Sequence, residues 1–259
     1  MSSPTALADA RHEVFRIKTE GLHRLGWSPK IRQRFGYFTP DEWYEAALLR
    51  LIDKDTEWLD VGCGRGLLPF NPNLELLLSS RCRRLVGVDP DNNIDEHPLL
   101  HERYKCPIED FASERQFDLI TLRMVAEHVA DPQVAVAALA RLSRAGGRVV
   151  VYTVSKYSII SLLAAVTPLA LHEYARARLW GSSEQDTFST AYRMNTRREL
   201  RRLFSAVGFV EESFYYLNDC CTLGRWKLPT ILELSAEHAL RRLGIRYPEV
   251  CLLGIYRKS

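Results

Sequence analysis

Short apolar runs alternate with amphipathic stretches after residue 55, and this alternation predicts the fold. Runs such as Leu85-Val86-Gly87-Val88 are apolar throughout, as in strands that are buried on both faces of a parallel sheet. The stretches between them, such as Leu67–Ser80 and Asp131–Ser143, have helical spacing. Together they predict a doubly wound α/β fold. The first five predicted strands are Glu57–Val61, Arg84–Asp89, Arg103–Cys106, Phe117–Arg123 and Arg148–Val154.

The N-terminal part of the chain lacks these apolar runs. Residues 7–25 have loose helical spacing, and residues 28–40 are rich in turn formers. Thr39-Pro40 has the form of an N-cap followed by proline in the first turn, which predicts a helix that runs to about Ile52. We therefore predict an N-terminal helical segment over residues 1–55.

The C-terminal part adds two more strands and two insertions. Residues 155–195 combine an apolar helical stretch with a polar linker. Thr196 and Glu199 form a predicted capping box at the start of a helix that ends near residue 207. Strands are predicted at Phe209–Leu217 and Val250–Tyr256, with a helix-bearing insertion over about 219–248 between them. Residues 56–259 are thus predicted to form one domain.

Composition narrows the class of protein. Lys and Arg total 35 against 32 Asp and Glu, a formal net charge of +3, which disfavours nucleic acid as the partner. The longest apolar run, Tyr157–Leu171, is broken by polar residues and is too short to span a membrane. No secretory signal precedes the first helix, and none of the 6 cysteines forms a C-x-x-C pair. These features predict a cytoplasmic protein with free thiols and no zinc site.

One segment carries chemistry, the run Trp58-Leu59-Asp60-Val61-Gly62-Cys63-Gly64-Arg65-Gly66. An apolar strand leads into three glycines at alternate positions, as expected where a backbone turns sharply against a ligand. A dinucleotide dehydrogenase needs the third glycine one residue later, where this chain has Leu67. The carboxylate of Asp60 would repel a pyrophosphate, whereas it suits a cationic ligand.

These residues resemble the first motif of the class I S-adenosylmethionine-dependent methyltransferases. In that family the next strand ends in an acid that holds the ribose hydroxyls, and here Asp89 stands at that position, followed by Pro90. A carboxylate at a strand end can accept both protons of a cis-diol. Ile108 and Glu109, in Pro107–Phe111, match the family's adenine loop.

Two later segments extend the resemblance. Phe117–Ile120 followed by Glu127-His128-Val129 and Asp131-Pro132 is similar to the ubiquinone-type and small-molecule O-methyltransferases, and a Gly146-Gly147 turn follows. The resemblance covers about residues 56–154. It implies a Rossmann-like, seven-stranded, mostly parallel sheet with helices on both faces. The N-terminal helices and the helical lid over about 155–195 lie outside the resemblance and are predicted from the residues alone.

The resemblance also implies which residues bind the cofactor and which act on the acceptor. Arg123 lies where the fourth strand ends and is expected to contact the cofactor, the acceptor or a nearby carboxylate. His128 is a candidate general base, metal ligand or structural residue, and His172 and Tyr192 in the predicted lid are the other candidate bases. No metal is expected. The predicted cofactor-binding residues are Asp60, Gly62, Cys63, Gly64, Gly66, Asp89, Pro90, Ile108, Glu109 and Arg123.

The sequence therefore predicts in-line transfer of a methyl group from S-adenosylmethionine to a small-molecule acceptor in biosynthesis, with O-methylation favoured over N- or C-methylation. Apolar and aromatic residues in 155–195 favour an apolar or aromatic acceptor. Residues 157–171 are expected to be a lid, an oligomer contact or a peripheral membrane contact, in a monomer or homodimer. A catalytically silent cofactor-binding partner of another enzyme is the alternative. A nicotinamide-dependent oxidoreductase is disfavoured by Asp60 and Leu67.

Overall fold

The computed structural model describes residues 4–20, 26–158, 190–220, 226–245 and 247–259, with side chains from residue 9 onward. Residues 159–189 of the lid predicted over about 155–195, and with them the candidate base His172, lie outside these ranges.

Seven strands form one sheet in the order β3-β2-β1-β4-β5-β7-β6. The first five strands are parallel to one another, and β7 runs antiparallel to both of its neighbours. This confirms the predicted seven-stranded, mostly parallel Rossmann-like sheet. The strands are β1 (Glu57–Val61), β2 (Arg84–Val88), β3 (Glu102–Tyr104), β4 (Phe117–Arg123), β5 (Ser143–Val154), β6 (Phe209–Leu217) and β7 (Cys251–Lys258).

Seven α-helices accompany the sheet within the described ranges, together with a 3-10 helix over Asn92–Glu96. Thr39 caps the third α-helix with the predicted reciprocal box, because its hydroxyl accepts from the backbone N–H of Glu42 and the Glu42 carboxylate accepts from the backbone N–H of Thr39. The helices are α1 (Pro4–Thr19), α2 (Trp27–Phe35), α3 (Pro40–Leu51), α4 (Pro72–Arg81), α5 (Pro132–Leu142), α6 (Arg197–Ala206) and α7 (Lys227–Arg242).

The sheet separates two apolar cores. On one face, Trp58 and Tyr152 pack with residues of α1, α3 and α4. On the other, Leu59 and Val151 pack with residues of α5 and α6. Successive residues of β1 thus face opposite cores, which is why the apolar residues Trp58 and Leu59 follow one another in its sequence. A smaller cluster around Leu234 joins α2 to α7.

Predicted boundaries agree closely with the structure in most elements and are wrong in four, one of which is the Leu67–Ser80 stretch, whose helix α4 begins only at Pro72. The turn-rich interpretation of residues 28–40 is wrong, because Trp27–Phe35 is α2, with Pro29 in its first turn and Gly36 as a left-handed C-cap. Strand β5 begins at Ser143 rather than residue 148, and β3 is shorter than predicted. At α6 the Thr196 hydroxyl accepts from the Glu199 N–H and donates to its carboxylate, so half of the predicted capping box forms.

Candidate active site

The glycine turn follows β1 and ends against β2. Gly62 and Gly64 have φ values of +70° and +50°, a left-handed conformation that side chains rarely adopt. The Gly62 N–H donates to the carbonyl of Val88 at 2.8 Å, which fixes the turn to the end of β2. A Cβ atom on Gly62 would lie 2.2 Å from Cγ2 of Val125, whereas a Cβ on Gly64 would meet nothing within 4 Å. The backbone conformation at both positions therefore favours glycine. The backbone at Gly64 also borders open space.

Glu75 of α4 holds the far end of this turn. Its Oε1 atom accepts from the backbone N–H of Leu67 at 2.9 Å, and it would lie 3.4 Å from a Cβ on Gly66. The Cys63 side chain between the glycines is buried and faces Gly87 of β2, and burial raises the pKa of its thiol. Cys63 thus contributes packing through its side chain and offers only its backbone to a ligand.

Asp89 lies directly after β2 and is fixed by two backbone donors. Its Oδ2 atom accepts from the N–H of Gly64 at 2.9 Å, and its Oδ1 atom accepts from the N–H of Asp91 at 2.8 Å. Each carboxylate oxygen retains a lone pair for a further donor. The carboxylate that the sequence assigned to a ribose is thereby hydrogen bonded to the glycine turn itself. Pro90, which follows it, is exposed.

Asp60 is buried within β1. The Thr121 hydroxyl donates to its carboxylate, and that hydroxyl accepts from Nε1 of Trp58 at 2.7 Å. Burial raises the pKa of Asp60 to about 7, although the Thr121 hydrogen bond and the charge of Arg123 oppose the rise. An arriving cation would favour the ionised carboxylate, because an opposite charge lowers the pKa of an acid.

Arg123 ends β4 and points toward α3. Its Nη2 atom donates to Oδ1 of Asp41 at 2.8 Å, in a pair with about a fifth of each side chain exposed. Of the contacts that the sequence left open for Arg123, the described structure therefore contains the one with a nearby carboxylate. The next residue, Met124, has a φ of +52°, and its N–H donates to the carbonyl of Tyr152.

Helix α3 brings two further side chains to this end of the sheet. Tyr44 is buried and stacks on Tyr152 of β5, with ring centroids 5.3 Å apart. Glu45 is buried as well, and its Oε2 atom accepts from Nδ2 of Asn71 at 2.9 Å. Burial raises the pKa of Glu45 to about 7, partly opposed by the charge of Lys18.

The predicted adenine loop lies after β3. Ile108 is buried among the residues of the second core, and Glu109 is half-buried beside it. The N–H of Phe111 donates to the carbonyl of Ile108, which closes a turn. Because the N–H of Asp89 donates to the carbonyl of Tyr104, the loop starts next to the predicted ribose carboxylate.

The predicted acceptor side is built on the loop after β4. The backbone N–H of His128 donates to the carbonyl of Val125, which folds the loop back toward the glycine turn. The N–H of Tyr192, a residue with a φ of +50°, donates to the carbonyl of Glu127 at 3.1 Å. Of the three candidate bases, His128 thus lies on this loop and Tyr192 is hydrogen bonded to it through its backbone. The third, His172, lies outside the described residues.

Sequence reasoning missed a buried polar network beneath this loop. The Glu127 carboxylate accepts from the Thr153 hydroxyl at 2.6 Å, and that hydroxyl accepts from Nδ2 of Asn195 at 2.8 Å. Asn195 also donates to the carbonyl of Val154. The network ties β5 to Asn195, at the end of the predicted lid. The Glu-His-Val motif pointed to Glu127, whereas nothing local in the sequence singled out Thr153 or Asn195, nor Asp41, Tyr44 and Glu45 of α3.

The described residues contain neither a metal-binding cluster nor a membrane-spanning helix. No group of three or more His, Cys, Asp and Glu side chains among them could hold a metal ion. None of the helices described is both long and apolar enough to cross a membrane. The chemistry-bearing side chains gather instead at the carboxyl ends of the parallel strands, where ligands bind in open α/β sheets.

Comparison with known proteins decides the family. Residues 29–213 match the methyltransferase domain family, a match that spans well over half of the chain. The chain belongs to this family. The match begins inside the predicted N-terminal segment and ends in β6, so it includes α3 and the glycine turn.

Curated relatives of this methyltransferase include ubiquinone biosynthesis O-methyltransferases. It is 32% identical over 136 residues to the one from Chromobacterium violaceum, covering 46% of this chain and 56% of the relative. It is 31% identical over 148 residues to the one from Pseudoalteromonas translucida, covering 49% and 58%. The chain thus spans little more than half the length of the curated relatives it matches.

Solved structures share the fold at low sequence identity. The methyltransferase superposes on geranyl diphosphate C-methyltransferase from Streptomyces coelicolor with a TM-score of 0.53 at 14% identity, covering 93% of this chain and 84% of that one. It superposes on the cyclase SpnF with a TM-score of 0.51 at 13% identity, covering 83% and 80%. Membership of the class I methyltransferases, with S-adenosylmethionine as the cofactor, is confirmed.

Proposed function

We propose that this protein transfers a methyl group from S-adenosylmethionine to a hydroxyl group of a small-molecule acceptor. The observation that carries the proposal is the hydrogen bond between the Gly64 N–H and the Asp89 carboxylate, because it joins the two motifs that a nucleoside-bearing sulfonium cofactor needs. The names of the curated relatives favour oxygen as the methylated atom.

The described residues fit the cofactor. Asp89 would accept the ribose hydroxyls with its remaining lone pairs, and Ile108 and Glu109, in the loop that starts beside it, would contact the adenine. The open space over Gly64 lets the methionine part approach the backbone. The amino group of that part would add a positive charge near the Asp60 carboxylate, whose raised pKa reflects burial without a sufficient counter-charge.

The loop after β4 would serve the acceptor. The bound cofactor supplies an electrophilic methyl carbon on a positively charged sulfur. The protein's part is to hold the acceptor oxygen in line with that carbon and to remove its proton. His128 and Tyr192, both anchored to this loop, are the proposed proton acceptors among the described residues, and His172 is a further proposed base. The Glu127 network would fix the loop's position.

The acceptor is proposed to be apolar or aromatic, and the protein is proposed to work in the cytoplasm as a monomer or homodimer. Aromatic residues over 155–195, including Tyr157 and Tyr192, support an acceptor of that kind. Arg123 is proposed to border the cofactor while paired with Asp41.

A methyl-transfer assay tests the proposal. Purified protein is incubated with S-adenosylmethionine labelled in the methyl group and a panel of catechols, phenols and aliphatic alcohols, and labelled product is identified by mass. We expect label on oxygen of at least one phenolic acceptor. His128→Asn should lower kcat about 100-fold with unchanged binding of S-adenosylhomocysteine, because a general base contributes about that factor.

The controls separate the parts of the proposal. His12→Asn, which makes the same change at an exposed histidine outside the site, serves as the matched substitution that leaves turnover unchanged. Cofactor binding without labelled product from any acceptor or from cell extract would favour the catalytically silent partner. Absence of S-adenosylhomocysteine binding by calorimetry would overturn the proposal altogether.

A further inference from the structure

Helix α7 has two chemically different faces. Thr230, Leu234 and Glu237 are buried against the rest of the molecule, and Leu234 belongs to the cluster that α7 shares with α2. Leu228 and Leu232, by contrast, are 74% and 71% exposed. At about 100° per residue, the buried and the exposed positions fall on opposite sides of the helix.

Further exposed apolar side chains lie at both ends of α7. Leu243, directly after the helix, is 72% exposed, and Trp226 and Ile245 flank the helix with about half of their surfaces exposed. These five large apolar side chains, which we call the α7 outer face, lie within 20 residues of chain. Several exposed large apolar side chains on and beside one helix mark an interaction surface more often than an isolated exposed leucine does.

The exposed charged residues of α7 itself are basic. Lys227 and Arg242 are exposed. The carboxylates of the helix are engaged elsewhere: Oε1 of Glu233 accepts from the Tyr247 hydroxyl at 3.2 Å. Glu237 is buried with its carboxylate 3.8 Å from Arg241, which is half-exposed.

The neighbouring helix adds to this charge. Helix α2 exposes Lys30 and Arg34, and residues 26–38 contain no acid. Arg241 joins the two helices, because its Nη2 atom donates to the carbonyl of Phe35 at 3.0 Å. The pair of helices therefore exposes leucines together with basic side chains.

We propose that the α7 outer face docks this protein on an anionic membrane surface. Leucine side chains of an amphipathic helix insert at the boundary between headgroups and acyl chains, while lysine and arginine contact the lipid phosphates. A second copy of the chain is a poorer occupant, because a two-fold dimer would place Lys227 and Arg242 against the same residues of the partner. The proposal does not depend on the proposed methyl transfer.

Vesicle co-sedimentation tests the proposal with the full chain. The vesicles contain either phosphatidylcholine alone or phosphatidylcholine mixed with phosphatidylglycerol. We expect binding to the mixed vesicles that weakens with added salt. The Leu228→Ser/Leu232→Ser double variant should lower the partition coefficient about tenfold or more, since each leucine loses its burial in lipid. Lys227→Glu/Arg242→Glu should abolish the preference for the anionic vesicles.

The matched control replaces exposed apolar residues elsewhere, Leu76→Ser/Val210→Ser, and should bind vesicles as the wild type does. Circular dichroism verifies that each variant is folded. Equal vesicle binding by Leu228→Ser/Leu232→Ser and the wild type would overturn the proposal, as would absence of binding to the mixed vesicles. A wild-type dimer in light scattering that this variant converts to a monomer would assign the face to self-association and likewise overturn it.

Discussion

Replacing Gly62 by alanine should destabilise the protein through two separable effects. The first is the left-handed backbone at φ +70°, which costs a residue with a Cβ about 1–2 kcal/mol. The second is the clash of the new methyl group with Cγ2 of Val125 at 2.2 Å, an overpacking that costs about 1–3 kcal/mol. We therefore expect the free energy of unfolding to fall by about 2–5 kcal/mol.

Two matched variants isolate the effects. Gly64→Ala introduces the same methyl group at φ +50° into open space, so only the backbone cost of about 1–2 kcal/mol applies. In a Val125→Ala background the clashing atom is absent, and Gly62→Ala should cost no more than Gly64→Ala does. Urea unfolding followed by circular dichroism measures the wild type, the three single variants and the Gly62→Ala/Val125→Ala double variant.

The two alanine variants should also differ in function. Gly64→Ala fills the space over the turn while largely preserving stability, so it should weaken the binding of S-adenosylhomocysteine out of proportion to its effect on unfolding. If Gly62→Ala and Gly64→Ala cost the same free energy with Val125 present, the clash is relieved by the surroundings, and the reasoning from the 2.2 Å contact is refuted.

Three further predictions concern buried carboxylates. Asp89→Asn should weaken S-adenosylhomocysteine binding about tenfold or more with the fold intact, because hydrogen bonds to a charged acceptor are lost; unchanged affinity in calorimetry would remove Asp89 from the ribose site. Glu45 has its pKa raised from 4.5 to about 7, so it ionises first in the unfolded chain and stability falls as the pH rises across that interval. Glu45→Gln should recover up to about 3 kcal/mol at pH 8 relative to pH 4, measured by urea unfolding, and an unaltered pH slope would contradict this. Glu42→Ala removes the carboxylate that pairs with the buried guanidinium of Arg32 at 2.7 Å, with Lys18 and with the backbone N–H of Thr39, and should cost about 3–5 kcal/mol in thermal unfolding. The exposed ion pair between Glu13 and Arg16 offers the comparison, and an equal loss of stability from Glu13→Ala would argue against the effect of burial.

The sheet could be predicted because its information is local. Strands β1, β4 and β6 are apolar or patterned over their full length, and the structure has them at the predicted boundaries. Helix α2 could not be predicted in the same way, since Pro29 and Gly36 punctuate it and its buried residue is a charged one, Arg32. What makes that burial tolerable is an ion pair with Glu42 on another helix, which no local pattern reveals.

Some residues of the candidate site can likewise be predicted from local motifs, whereas others are brought there only by contacts between distant segments. Gly62, Gly64 and Asp89 belong to short motifs with fixed spacing, and the structure joins them by hydrogen bonds. Asn195 and Asp41 reach the site from distant segments through packing. In the sequence Asp41 is one of two acids in the first turn of a helix. Acids are common there because they interact favourably with the helix dipole, so nothing in the sequence marks Asp41 as a residue of the site.

The Asp41–Arg123 ion pair makes two segments that are 82 positions apart in the chain depend on each other for charge neutralisation. Arg123 stands in the strand layer of the sheet, whereas Asp41 stands on a helix of the N-terminal segment. A chimera that takes the N-terminal helices from a relative lacking an acid at that position would leave a largely enclosed guanidinium without its counter-charge. A chimera within this family should therefore fold when the acid at position 41 and the arginine at position 123 are both present.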